Sequence, residues 1–203
     1  MAQTVVCTGG IGSGKSYVIK IFQNFGVPAY ISDNRAKELY TENQILSNGL
    51  MNILGNDIFE DGKLRRDIMA SRIFSDSSLL QKVNSLVHPF VLEDFIMWKS
   101  RMERDGHKLV LLESAIYLES SVFKGSADYV VVVTAPEQLR VKRVAQRDGI
   151  PQNEVMERIS KQMAESDRLS RADFIIFADG KNAVMPQVYR VLKKLEYFDQ
   201  SNM

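Results

Sequence analysis

The sequence predicts an α/β fold, a five-stranded parallel sheet flanked by helices. Three observations carry this expectation. Five short runs, residues 4–7, 27–31, 108–112, 128–134 and 174–177, are largely continuous in apolar character rather than alternating, as strands covered on both faces are. Helix-like segments separate them, which right-handed crossovers between parallel strands require. A glycine-rich turn, TGGIGSGKS at residues 8–16, joins the first run to the first helix, and ligands of such sheets lie beyond the carboxyl ends of the strands.

Taken in order, the first run leads into a turn that fits the phosphate-binding pattern GxxxxGK[ST], with Gly9 opening it and Gly14, Lys15 and Ser16 closing it. Glycines let the backbone turn tightly and aim successive N–H groups at phosphate oxygens. The backbone of Gly10, Ile11, Gly12, Ser13 and Gly14 is therefore expected to cradle a nucleoside triphosphate. Lys15 reaches its terminal phosphates, and Ser16 offers a hydroxyl to a magnesium ion. Val18, Ile21, Phe22 and Phe25 then recur at helical spacing until Gly26 supplies the stop. The amino terminus of that helix favours negative charge beside the loop.

After the second run comes Asp33, a carboxylate placed to accept the proton of an attacking hydroxyl or to bind magnesium, or else to cap a helix beginning near Asn34. Residues 35–107, between the second and third strands, are far longer than an ordinary crossover and rich in helix formers, with candidate breaks at Gly55 and Gly62. Such an insertion usually carries specificity. Residues 137–171 bear Arg140, Arg143, Arg147, Arg158, Arg168 and Arg171. They suggest a lid over the phosphates, although most arginines on such polar helices are solvated.

The remaining features narrow the function. No NKxD or DxxG segment of a GTPase is present, and the apolar strand ending in an aspartate at residues 174–179 is better explained as a strand end followed by an Asp179-Gly180 turn. With 45% apolar and 25% charged residues among 203, the chain has the composition of one ordinary globular domain, residues 1–203, without repeats or a long linker. A net charge of +1 offers no basic excess to recruit nucleic acid. The single cysteine, Cys7, has no intramolecular partner and suits a reducing cytosol. Neither a membrane-length apolar stretch nor a signal-peptide pattern is found, so a cytoplasmic protein without membrane partners is expected.

The motifs together resemble the dephospho-coenzyme A kinase family over nearly the whole length. TGGIGSGKS matches its phosphate loop, Asp33 the second aspartate of its DxD segment, residues 61–66 (DGKLRR) its DGxLxR, and His88-Pro89 its HP pair. Glu119 ends the PLLxE motif, Ala135-Pro136-Glu137 and Arg147-Asp148-Gly149 fall in the basic region, and Ala172-Asp173 introduces the last strand. The resemblance implies transfer of the terminal phosphoryl group of ATP, with Mg2+, to the ribose 3′-hydroxyl of dephospho-coenzyme A. It implies Lys15, Asp33 and Arg140 as catalytic residues, and Arg66 and His88 as acceptor-binding candidates in a helical insertion. His88 serves equally well as a turn residue before Pro89. Ile31, Ala115 and Ala178 depart from the family pattern, leaving Asp33 as the sole carboxylate of its segment. A kinase of the nucleotide-kinase type acting on another small molecule, or a non-catalytic ATP-dependent binding protein, are the alternatives.

Overall fold

The computed structural model describes residues 1–198, and the chain divides into two compact units, Met1–Tyr30 with Lys99 onward, and Ile31–Trp98. In chain order the elements are β1 (Gln3–Thr8), α1 (Lys15–Asn24), β2 (Ala29–Ile31), α2 (Ser32–Glu42), α3 (Gln44–Leu54), β3 (Phe59–Glu60) and β4 (Lys63–Leu64). They continue as α4 (Arg66–Ser75), α5 (Ser77–Arg104), β5 (Leu109–Glu113), β6 (Tyr129–Thr134), α6 (Glu137–Asp148), α7 (Gln152–Ser160), α8 (Glu165–Leu169), β7 (Phe174–Phe177) and α9 (Val184–Lys194).

The first unit carries the five-stranded sheet, in the order β2-β5-β1-β6-β7. All five expected strands are present, although β2 starts at Ala29 rather than Val27. β1 lies parallel between β5 and β6, pairing Cys7 with Glu113 and Thr8 with Val132, and β6 pairs parallel with β7. Every residue of β5 is buried, which is why Leu109 to Leu112 are continuously apolar before Glu113 ends the strand. Val18, Ile19, Ile21 and Phe22 turn one face of α1 into the core, and α9 buries Val184, Val188, Val191 and Leu192 beside it.

Two aspartates pin the sheet where strands begin. Asp128 accepts the Thr4 N–H at 2.6 Å, and Asp173 accepts the Val130 N–H at 2.7 Å. Each extends the ladder one residue ahead of its strand, which gives Asp173 of the Ala-Asp motif a structural role. At the other margin Gln187 of α9 receives the Phe177 N–H and donates to the Phe177 carbonyl, at 2.8 and 3.0 Å. It thereby occupies backbone groups of an edge strand.

The second unit covers much of the stretch read as an insertion, but it starts at Ile31 and ends at Trp98, inside α5. Its hairpin β3–β4 turns on Asp61 and Gly62, at φ 49° and 73°, the left-handed pair of a type I′ turn. Two sequence expectations need correction. His88-Pro89 forms no turn but lies within the 28-residue α5. Val83, Val87, Val91 and Phe95 form a buried stripe along that helix, and burial of several such side chains, at about 1.5–3 kcal/mol each, offsets the roughly 3 kcal/mol a helical proline costs. Secondly, α2 begins at Ser32, not near Asn34, and its N-cap is Ile31, with no side-chain cap bond. Asp33 is therefore not the cap.

Asp128→Ala should lower unfolding free energy by about 1 kcal/mol, read from the urea midpoint, without altering the far-ultraviolet spectrum. Burial pushes the Cys7 thiol up to about 12, so the native chain should resist iodoacetamide at mildly alkaline pH and become fully labelled in guanidinium.

Candidate active site

The loop between β1 and α1 is pressed between its neighbours. A Cβ at Gly10 would meet the Arg140 guanidinium, and one at Gly12 would lie 2.6 Å from the Arg140 carbonyl. Gly12 also holds φ at +77°, a conformation that side chains strain to adopt. The one large side chain of the loop, Ile11, packs against Val141, Val144 and Val155 of α6 and α7. Its backbone is held on both sides as well. The Ile11 N–H donates to Gln162 Oε1 at 3.0 Å, and its carbonyl accepts from Arg140 Nε at 3.0 Å.

Lys15 folds back over this loop, its Nζ donating to the Gly9 carbonyl at 2.8 Å and lying 3.4 Å from that of Gly10. Ser16 is exposed in the first turn of α1, while the Ser13 hydroxyl is buried without a hydrogen-bond partner among the described residues. A buried hydroxyl left unpaired costs stability.

Two clefts open on the loop. One, of about 190 Å³, is lined by Gly12 to Ser16 together with Arg143, Val144 and Arg147. The other, of about 540 Å³, lies against Gly14, Tyr17, Arg143, Ala178 and the turn from Gly180 to Val184. Gly14 and Arg143 border both. Arg143 donates to the Ala178 carbonyl at 2.7 Å and lies 3.4 Å from the Gly12 carbonyl. Because that contact uses the backbone of Ala178, the departure from the family pattern at this side chain leaves it intact. Asp179 accepts from the N–H groups of Lys181 and Asn182, both at 2.9 Å, so it holds the turn expected there.

The arginines do not behave alike. Arg140 and Arg168 are buried, at 3% and 1% exposure, which corrects the expectation that such side chains face water. Both are paired with Glu165, at 3.1 and 2.6 Å, and desolvated guanidinium groups need such partners. Arg147 is exposed beside Asp148, and Arg143 is half-buried at the junction of the clefts.

A further carboxylate is Glu113, to which the sequence alone assigns no role. It ends β5 opposite Cys7, is buried, and is followed by Ser114, whose hydroxyl has no partner among the described residues. Burial is the chief cause of the high Cys7 pKa; the positive charge of Lys15 opposes it and the negative charge of Glu113 adds to it. Both charged groups therefore reach the end of β1. The signal is local: residues 109–113, LVLLE, are an apolar strand ending in an acid, as residues 174–179 are.

In the second unit, Asp33 is exposed in the first turn of α2. Tyr40, two turns on, keeps its proton more firmly than usual, chiefly through burial and secondarily through the charge of Asp33. Arg35 clamps α2 to α5 through Asp94, at 2.9 and 3.1 Å. Arg65 is paired with Glu60 and Asp67, whereas Arg66, exposed at the start of α4, has no ion-pair partner among the described residues. Burial lowers the pKa of His88, so its imidazole is neutral near neutral pH. Among the described residues no group of three or more His, Cys, Asp or Glu side chains forms a metal site, and no helix is long and apolar enough to cross a membrane.

A parallel sheet with this loop at the carboxyl end of its central strand, and with arginines around the adjoining clefts, defines the class of P-loop kinases. Comparison with known proteins is more specific. The dephospho-CoA kinase family model matches residues 3–183. Dephospho-CoA kinase of Porphyromonas gingivalis is 40% identical over 191 residues, covering 94% of this chain and 93% of the relative. That of Bacteroides fragilis is 36% identical over 192 residues, covering 95% and 92%. The crystal structure of TT1252 from Thermus thermophilus superposes with a TM-score of 0.78 at 28% identity, covering 97% of each chain. The chain belongs to the dephospho-CoA kinase family.

Gly12→Ala should abolish ATP binding by calorimetry, because the added Cβ meets backbone and the φ is strained together. A variant that binds ATP as the wild type does would show that the loop is not held as described.

Proposed function

We propose that this chain transfers the γ-phosphoryl group of ATP to the 3′-hydroxyl of the ribose of dephospho-coenzyme A. The observation that carries the donor half is the pair of clefts sharing Gly14 and Arg143. The smaller suits a polyphosphate, with backbone N–H groups and a lysine at its edge, and the larger suits a base and sugar. Family membership supports the acceptor.

Phosphoryl transfer needs little covalent help from protein and depends on positioning and charge neutralisation. In this reading Lys15 leaves the Gly9 carbonyl for the β- and γ-phosphates. Arg143 and Arg147 balance charge along the chain of phosphates, and Arg140 supports the transferring group. The Ser16 hydroxyl fits a magnesium ion that arrives on the nucleotide, since such an ion takes most of its ligands from phosphate and water. Bound there, magnesium would neutralise charge that develops between the β- and γ-oxygens. Asp33 accepts the proton of the ribose hydroxyl. Arg66, without an ion-pair partner among the described residues, offers its charge to a phosphate of the acceptor, and neutral His88 offers a hydrogen bond. Residues 137–171 act as the lid that excludes water from the activated phosphate. A reduced, buried Cys7 supports a cytoplasmic setting.

Dephospho-coenzyme A, and not nucleoside monophosphates, should stimulate ADP release in a coupled assay; stimulation by a monophosphate alone would point to a different nucleotide-type kinase. Asp33→Asn should lower kcat by about 10²- to 10⁴-fold with an unchanged melting temperature, because the side chain is exposed. Wild-type turnover in that variant would remove Asp33 from the chemistry.

A further inference from the structure

Glu165 is a junction that the transfer chemistry does not use directly. Its Oε2 accepts from Arg140 Nη1 at 3.1 Å and from Arg168 Nη1 at 2.6 Å, and its Oε1 accepts from Thr134 Oγ1 at 2.6 Å. Thr134 is the last residue of β6, so one end of the junction is fixed by the sheet. Arg168 fixes the other. It is 1% exposed, donates to the Met163 carbonyl at 3.1 Å and lies 3.6 Å from Glu119.

We propose that Glu165 is a positioning residue for phosphoryl transfer, holding the plane of the Arg140 guanidinium at the tip of the phosphate loop. This rests on the kinase reading and on the role given there to Arg140. Arg140 has two fixed points, Nε on the Ile11 carbonyl and Nη1 on Glu165. Its Nη2 is the atom that a Cβ at Gly10 would meet first, so that edge of the group lies along the loop. With Nε alone the planar group would pivot about a single hydrogen bond, and a long side chain so released regains conformational freedom. Glu165 also supplies the negative charge that a guanidinium nine-tenths out of water requires. Electrostatic stabilisation of a transition state depends on such charges being held in place beforehand.

A merely structural account would have Glu165 neutralise Arg168 and hold α8, with no effect specific to Arg140. Steady-state kinetics of Glu165→Gln, Thr134→Val, Arg140→Ala and the double variant Arg140→Ala/Glu165→Gln separate the two, alongside melting temperatures. Glu165→Gln should lower kcat by about 10- to 100-fold, the scale of a misplaced group, with the KM for ATP little changed. The double variant should be no slower than Arg140→Ala alone. Thr134→Val, which leaves both ion pairs in place, should show a smaller kcat loss of the same kind and decides the matter if Glu165→Gln does not fold.

Wild-type kcat in the folded Glu165→Gln variant, or in Thr134→Val where that one decides, would overturn the proposal. Losses that multiply in the double variant, or a normal turnover in Arg140→Ala, would do the same. If the wild-type chain releases no ADP with dephospho-coenzyme A, the kinase reading itself falls and the role of Glu165 with it. If it does and only the Glu165 predictions fail, the kinase reading stands alone.

Discussion

The phosphate loop is shaped by close approach from outside. β6 brings the Val133 carbonyl against Gly9, and α6 brings Arg140 against Gly10 and Gly12, so closely that a Cβ at any of the three would collide. A protein interior transmits strain because it is close-packed, and here the packing leaves the loop one backbone path. The loop conformation is therefore set by its neighbours as well as by its own sequence. The arrangement rests on the crossover from β6 to β7 as much as on the loop's own glycines.

That crossover explains why buried charge is tolerated beside the loop. Arg140 and Arg168 share Glu165, and Arg168 also approaches Glu119, so the group of four is neutral in sum. Buried pairs of this kind add little net stability over an apolar equivalent, but removing one member leaves a stranded charge. Their benefit lies in geometry, since each arginine also reads a backbone carbonyl, Ile11 for Arg140 and Met163 for Arg168. Glu119, which ends one family motif, and Glu165, which belongs to none of those in the sequence, meet through Arg168.

The second unit achieves order by shorter-range means. Asp61 and Gly62 form the whole turn of β3–β4, so part of the DGxLxR segment is explained by backbone conformation. The Arg35–Asp94 contact fixes α2 near the turn that carries Asp33. The continuous α5 shows tertiary packing prevailing over a local preference: Pro89 is exposed, while the opposite stripe from Val83 to Phe95 is buried.

The sheet and the phosphate loop were legible in the sequence because their signals are local. Continuous apolar runs report burial on both faces, and the spacing of Gly9, Gly14, Lys15 and Ser16 reports a turn that glycine alone permits. Glu113 was equally local, an acid at the end of an apolar run, but its burial opposite Cys7 follows only from the pairing of β5 with β1. Which of Arg140, Arg143 and Arg168 are buried could not be read from the sequence, since all three stand on polar segments of similar composition. Only the tertiary structure decides that Arg143 borders the clefts while Arg140 and Arg168 are buried against Glu165. Exposure and charge pairing depend on which chain segments fold against each other, and residues 11, 134, 140 and 165 meet only when the loop, β6, α6 and α8 are packed together.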